Sequence, residues 1–504
     1  METCRELAIA SLSSDGRGIA ARAPDEPVTF VAGALPGETV LVQIMADRKR
    51  FREARAIEIL SQAPDAAEPC CPHATECGGC PLMRMAYPAQ LTWKRRIVQD
   101  AFVRIGHLEG VQAAPVLPSP LTDGFRNKME LAFGLDAEGR LRLGMRRRSG
   151  HDIIATPQCR LMDAQARALA CAVEAACARE RLSVYEPDTA EASPACGSGP
   201  CDRRGRGGRG GQQGSREQGK GFLRFCQIRS GIVPDEACTG FAMPGQGQQA
   251  YWILLVTSRG ADAETATLRR IARELLDAFP ALHAVIHEER KACDFLRQGD
   301  RRSFALCRQG EIPEAARLLA PLGERRYLID CAGFFQVNTR SAEKLAELAG
   351  QGLVSGNLLD LYCGAGAPGL SLVSGGRVTG VEYAASSVAS ARLNAERMGI
   401  PARFLAGDVT RLLPRALREA KARQALCDPP RAGLTLPVAS ALLDSDLERI
   451  VYISCNPATL ARDLQKLAEG FDIVQATPVD LFPHTPHVET VVHLQRAGTP
   501  SATR

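Results

Sequence analysis

A chain of 504 residues is too long for one hydrophobic core and should divide into about three domains. Its 45% hydrophobic and 24% charged residues are those of a globular protein, and no window approaches the roughly 18 uncharged apolar residues of a membrane span. A net charge of +5 is too mild for the whole chain to act as a polycation, so any nucleic-acid footprint must come from local basic clusters.

The sequence does not open on a basic segment followed by an apolar stretch, so a cytoplasmic protein is expected. In a reducing compartment its 18 cysteines read as metal ligands, catalytic groups or core filler rather than a disulfide framework. Residues 1–62 carry short apolar runs punctuated by Gly and Pro, which predicts a small β-barrel. Within it Arg48, Lys49, Arg50, Arg52 and Arg55 suit the tracking of phosphates and equally suit a solvated charged face.

Residues 63–124 hold a cysteine-rich loop and then a helical pattern near 86–105. Cys71, Cys77 and Cys80 are separated by five and two residues, and Gly78-Gly79 lets the chain wrap closely around a metal centre. Three thiols need a fourth. Cys159 is the best remote candidate and Cys70 the competitor; zinc fits such a set as well as an iron-sulfur cluster does.

Residues 125–330 read as mixed α+β, with strands near 125–135, 140–148 and 251–258 and a helix near 162–182. The Arg-Gly-rich segment at about 187–221 has almost nothing apolar to bury and is expected to be disordered, either as an RNA contact or as a tolerated insertion.

From about residue 356 the rhythm becomes strand, turn, helix. Strands are expected at 357–363, 377–383, 402–408, 424–430 and 449–455, followed by a pair at 471–482 and 487–495. The fold class is therefore α/β, a doubly wound parallel sheet that binds ligands at the carboxyl ends of its strands. Gly364, Gly366 and Gly369 follow the first strand and let the backbone approach a ligand, with Pro368 at the first turn of the next helix. Glu382 ends the second strand, where a carboxylate accepts ribose hydroxyls; NAD and S-adenosylmethionine both satisfy this pattern.

Two prolines stiffen the chain after Asp428, and Arg431 stands where an aromatic residue would point to methylation of an amino nitrogen. Cys455 ends the fifth strand beside Asp428. It reads as a buried small hydrophobe or as a nucleophile whose thiolate is favoured by a helix starting near Thr459. Glu489, set in an apolar strand between Val488 and Val491, reads as a general base or as an exposed-face Glu. An iron-sulfur dinucleotide oxidoreductase needs neither Cys455 nor Glu489, and nor does a non-catalytic RNA-binding scaffold.

Taken together, the four cysteines, Gly333 to Asn338, Asp360 to Gly369, Cys427 to Gly433, Ser454 to Pro457 and His487 to Thr490 resemble the RNA uracil-5-methyltransferase family over almost the whole chain. The resemblance implies a monomeric S-adenosylmethionine-dependent enzyme with a Rossmann-like catalytic domain at 331–504. It also implies a TRAM-like RNA-binding barrel at 1–62, as in members acting on 23S ribosomal RNA; the same reaction on transfer RNA is the alternative. By resemblance Cys455 is the nucleophile, Glu489 the general base, and Cys71, Cys77, Cys80 and Cys159 the ligands of a [4Fe-4S] cluster. Gln336, Tyr362, Gly364, Gly366, Glu382 and Asp428 match the cofactor site, with Asp408 near the adenine. Ala367 departs from the Asn that many members carry, and the Arg-Gly insertion is not a usual family feature.

Overall fold

The computed structural model describes residues 4–23, 25–148, 152–186, 220–236, 246–291 and 299–498. Residues 187–219 of the Arg-Gly segment lie outside the described residues. Five strands, β1 (Cys4–Leu12), β2 (Gly18–Ala20), β3 (Val28–Ala32), β4 (Thr39–Asp47) and β5 (Phe51–Ser61), close into a barrel in the order β1-β2-β3-β5-β4. Alternation along β3 and β4 turns Val31, Val40 and Val42 inward, onto Ile9 and Ala54. Arg48, Lys49 and Arg50 occupy the exposed β4–β5 turn, whereas Arg52 pairs with Asp47 at 3.0 Å.

The helix Tyr87–Arg104, placed by the sequence in a connector, belongs to the C-terminal core: Val98, Ala101 and Phe102 are buried against Ala461 and Leu464. Behind it, Ala113 and Leu117 bridge in parallel to Ala476 and Val479.

The central region is one ten-stranded sheet built from β6 (Lys128–Leu135), β7 (Leu141–Arg146), β8 (Ile153–Ala155), β9 (Leu223–Ile232), β10 (Gln249–Ser258), β11 (Leu282–Arg290), β12 (Arg301–Cys307), β13 (Gly310–Glu311), β14 (Arg317–Leu322) and β15 (Arg325–Asp330). Its main path is β13-β12-β11-β10-β9-β6-β7-β8, with β14 paired to β9 and β15. One face is covered by the helices Ala164–Arg179 and Asp262–Ala278 through Leu169, Val173, Leu268 and Ile271. The other face shares a core with the C-terminal domain, where Trp252 and Ile286 meet Cys363, Leu370 and Phe404.

Seven strands form the last sheet: β16 (Leu358–Leu361), β17 (Val378–Glu382), β18 (Ala402–Ala406), β19 (Gln424–Cys427), β20 (Arg449–Ser454), β21 (Phe471–Val479) and β22 (Glu489–Arg496). The order is β18-β17-β16-β19-β20-β22-β21, with β16 to β20 parallel and β22 antiparallel to both neighbours. Every residue of β16 and β19 is buried, as befits parallel strands covered on both faces. Strand order reverses at β16, which opens a crevice above the carboxyl ends of β16, β17 and β19. Among the described residues no helix is long and apolar enough to cross a membrane.

Candidate active site

Cys455 lies between the end of β20 and the helix Pro457–Leu467, whose cap Asn456 accepts the Ala458 N–H at 3.1 Å. Because β22 runs antiparallel, its first residue, Glu489, returns to the same rim: Thr490 pairs with Ser454. Asp428 follows β19 next door. Asn456 Nδ2 and Thr459 Oγ1 both donate to the Arg431 carbonyl, at 3.0 and 3.1 Å, tying the Asp-Pro-Pro-Arg loop to the helix start beside Cys455.

These groups feel one another. Burial pushes the Cys455 thiol up to about 11, Glu489 and Asp428 add to the shift, and Arg431 opposes it. Glu489, 5% exposed, is pushed up to about 8 by burial and then by Asp428, again opposed by Arg431. Burial alone lifts Asp428 to about 7. The helix begins two residues earlier than expected, yet its N-terminus does not leave Cys455 a thiolate: desolvation and two carboxylates outweigh it.

On the cofactor side, Tyr362 (φ +63°) and Gly364 (φ +52°) carry the chain over the end of β16. A side chain at Gly364 would meet no atom within 4 Å, so this backbone faces open space. The Gly364 and Ala384 N–H groups each donate to one oxygen of Glu382, at 3.2 and 2.8 Å, fixing the carboxylate with lone pairs left for hydroxyls. Beneath the loop Asp360 is 2% exposed, its Oδ2 has no partner among the described residues, and a Cβ on Gly369 would sit 2.1 Å from that oxygen. Burial, then Asp428 and Glu382, hold the Asp360 carboxyl well above the usual range. Gln336 stands three residues before the helix Thr339–Gln351, its carbonyl held by Asn127 Nδ2 at 2.9 Å. Asp408 is exposed and caps the helix Val409–Ala420 by accepting the Arg411 N–H at 3.3 Å. An open glycine backbone beside a fixed carboxylate fits a nucleoside cofactor.

The loop that delivers Glu489 is clamped from the cysteine-rich segment. His484, at φ +67°, donates its N–H to Gln90 Oε1 at 2.8 Å, and its carbonyl accepts the Leu82 N–H at 2.9 Å. Gln90 Nε2 in turn donates to Met85 O at 2.8 Å. Lys94 and Asp480 form a fully buried ion pair at 2.6 Å, and Lys94 also donates to Phe482 O.

Cys71, Cys80 and Cys159 share a small apolar cluster with Phe125 and Leu161. Burial raises the Cys80 and Cys159 thiols to about 12 and 11, with Cys77 and Cys71 adding to both shifts. Cys77 accepts the Gly79 N–H at 3.4 Å. Cys70 is exposed and stands outside this group. Among the described residues no three His, Cys, Asp or Glu side chains are gathered tightly enough to hold a single ion.

Residues 323–497 match the family model of tRNA (uracil-5-)-methyltransferases. An uncharacterized RNA methyltransferase of Nitratidesulfovibrio vulgaris is 36% identical over 93% of this chain and 91% of its own length. The chain belongs to the RNA uracil-5-methyltransferase family. A second relative, an uncharacterized RNA methyltransferase of Gloeobacter violaceus, is 32% identical over 97% of this chain and 96% of its own. The fold matches the Pyrococcus abyssi tRNA (uracil-54, C5)-methyltransferase solved with S-adenosyl-L-homocysteine, at a TM-score of 0.68 and 22% identity over 97% of this chain and all of the other. The protein is thus an S-adenosylmethionine-dependent RNA methyltransferase, and the dinucleotide oxidoreductase reading falls.

In this methyltransferase the sequence reading passed over Asp360, Arg431 and His487. Asp360 carried the same signal as Glu489, a carboxylate inside an apolar run. In the sequence Arg431 marks only the absence of an aromatic ring, whereas in the fold its charge opposes the shifts of both Cys455 and Glu489. His487 Nδ1 stands 3.5 Å from Arg431 Nη2, and burial, then Arg431, push its pKa down to about 4. Only the folded loop reveals that neighbour.

Proposed function

We propose that this enzyme methylates carbon 5 of a uridine in 23S ribosomal RNA, as a cytoplasmic monomer, with Cys455 as nucleophile and Glu489 as general base. The observation that carries the reading is the convergence of Cys455 and Glu489 on one rim from antiparallel strands, within electrostatic reach of each other. Carbon 5 of uracil is a weak nucleophile. Adding the Cys455 sulfur to carbon 6 turns carbons 4 and 5 into an enolate, which can take an electrophilic methyl. S-adenosylmethionine supplies that methyl on a sulfonium. Glu489 then removes the carbon 5 proton, the double bond re-forms, and the Cys455 thiolate leaves. The target base must first quit its stack, at a few kcal/mol.

Glu382, Gly364 and Asp428 are the residues we assign to hold the cofactor, with Gln336, Tyr362 and Gly366 beside them; Asp408 is assigned to the adenine end. We assign a [4Fe-4S] cluster, with zinc as the alternative, to four thiols within electrostatic reach of one another. Cys71, Cys77, Cys80 and Cys159 would hold it, and it would tie the loop to the central domain. The five-stranded barrel with its basic turn supports a ribosomal substrate. Transfer RNA is the second reading, favoured by the names of the matching family and of the Pyrococcus abyssi enzyme.

The decisive experiment uses Glu489→Gln. The thiolate should still add and the methyl should still transfer, but elimination should stall, leaving an enzyme–RNA band that survives denaturing electrophoresis. Cys455→Ala should give no such band and should lose more than about a thousandfold in rate. Normal turnover by Glu489→Gln, or an adduct with Cys455→Ala, would overturn the assignment. Mapping 5-methyluridine in RNA from cells lacking the protein separates ribosomal from transfer RNA.

A further inference from the structure

Away from the methyl-transfer rim, a cavity of about 300 Å³ opens between the Gly78-Gly79 turn and the central sheet. Its origin lies in the strand pairing. Strands β6 and β7 stay paired from Leu135 and Leu141 to Ala132 and Gly144 and then part. Beyond Gly144 the chain takes a different neighbour: Cys77 bridges to Arg147, the Gly78 N–H donates to Arg146 O at 3.2 Å, and the Arg148 N–H donates to Glu76 O at 2.9 Å. The hollow lies where the partners change over. The short Ala132 side chain leaves room there, Gly144 borders it with backbone because a side chain at that position would strike the Ile154 backbone of β8, and Phe225, paired to Ala132 on the other side, joins the wall.

The wall is chemically graded. Phe225 and Met145 give it apolar surface, Glu130 a carboxylate, and Arg146, Arg147 and Arg148 cationic side chains. Glu130 pairs with Lys128 at 3.0 Å, and Arg147 pairs with Glu76. Arg148 donates through Nη2 to Ala74 O at 3.3 Å, but its buried Nε has no partner among the described residues. Arg55 of the barrel and Arg84 of the cysteine segment lie close enough to act on Arg148 electrostatically, so cations from three segments gather at one edge. An aromatic ring, a half-buried carboxylate acceptor and an arginine donor form a base-and-phosphate arrangement.

The same face leads to the catalytic domain. Gln227 and Arg229, two and four residues beyond Phe225 on β9, donate to the Cys331 carbonyl at 2.7 and 3.0 Å, on the loop that carries Gln336. A nucleotide in the cavity would therefore lie on the wall that supports the cofactor loop.

We propose that this cavity binds one nucleotide of the RNA other than the target uridine, its base against Phe225 with an N–H edge on Glu130 and its phosphate at Arg148. The proposal rests on the RNA-methylating reading and is independent of whether the RNA is ribosomal or transfer. A carboxylate acceptor favours guanine, which offers two adjacent N–H donors, over uracil, whose single N–H is flanked by carbonyls. The cavity would thus reject the very base the enzyme modifies.

The test is equilibrium binding of guanosine 5′-monophosphate and uridine 5′-monophosphate to the full chain saturated with S-adenosylhomocysteine, which occupies the cofactor site. Guanosine monophosphate should bind about tenfold tighter than uridine monophosphate, and Arg148→Ala should weaken it by about tenfold. Glu130→Gln should erase the preference between the two while leaving S-adenosylhomocysteine affinity unchanged, which shows that the variant is folded. Photocrosslinking of 6-thioguanosine monophosphate should label a peptide containing Met145 or Phe225. Undetectable guanosine monophosphate binding, equal binding of both nucleotides to the unmodified chain, or labelling confined to the barrel would overturn the proposal.

Discussion

At neutral pH Cys455 and Glu489 both hold the proton that their proposed roles require them to give up, since their pKa values stand at about 11 and about 8. Burial does this to both, and their mutual repulsion makes ionising both together harder still. A sulfonium brought to this rim is a cation and draws both values down. Binding of S-adenosylmethionine should therefore release protons, whereas S-adenosylhomocysteine, with a neutral sulfur, should release fewer. Calorimetry in buffers of different ionisation enthalpy reads the difference, and equal release by both ligands would contradict it. Turnover should rise with pH as Glu489 deprotonates through about 8; a rate flat from pH 6.5 to 8.5 would remove that group from the limiting step. The same carboxyl affects stability. The folded chain keeps its proton up to about 8, the unfolded chain only up to about 4.3, so stability is full below the lower value and lost as pH rises through the higher. Glu489→Gln lacks this loss and should melt above the parent protein at pH 9.

Elements that announce themselves by pattern were legible in the sequence. Six of the seven strands of the last sheet fall within the stretches expected of them and β22 overruns its stretch by one residue, Arg496, because apolar runs ending in turn residues describe buried strands well. Glu489 opens its strand rather than sitting inside it, a boundary that depends on pairing with Val479. What could not be read was which element packs on which. The helix Tyr87–Arg104 has the composition of a connector, yet it supplies Gln90 and Lys94 to a loop nearly four hundred residues away. Lys94→Met strands Asp480 in the interior and should cost about 3–5 kcal/mol, seen as a lower melting temperature. Adding Asp480→Asn should recover part of that loss, because the uncompensated charge disappears. Gln90→Ala removes the partner of the buried His484 N–H and should cost about 1–3 kcal/mol. It should also lower the rate more than the cofactor affinity, since the loop it holds leads to Glu489 and not to Glu382.

For the whole molecule, charge is organised locally, as a net +5 requires. Arg48, Lys49 and Arg50 project from the barrel turn, whereas Arg52 is spent on Asp47. Replacing the three with Ala should weaken RNA binding and flatten its salt dependence by about 2 in the log–log slope, at about 0.7 per phosphate contact on single strands. An unchanged slope would place the footprint elsewhere. Cys71, Cys77 and Cys80 are near in sequence, and Cys159 is their remote candidate there, with Cys70 as competitor; the fold puts Cys159, not Cys70, in the cluster with Cys71 and Cys80, a closure that spacing alone does not dictate. Such long-range closures also set a timetable. Lys94 and Asp480 are 386 residues apart, and at about 5–20 residues per second the second is made roughly 20 to 80 seconds after the first. Through that interval the helix that will hold the Glu489 loop waits with an unmatched lysine, and the rim has its glycine loop but not Glu489. On the roles proposed above, the growing chain would have its barrel long before it has Glu489, and methylation would begin only when synthesis has passed β22.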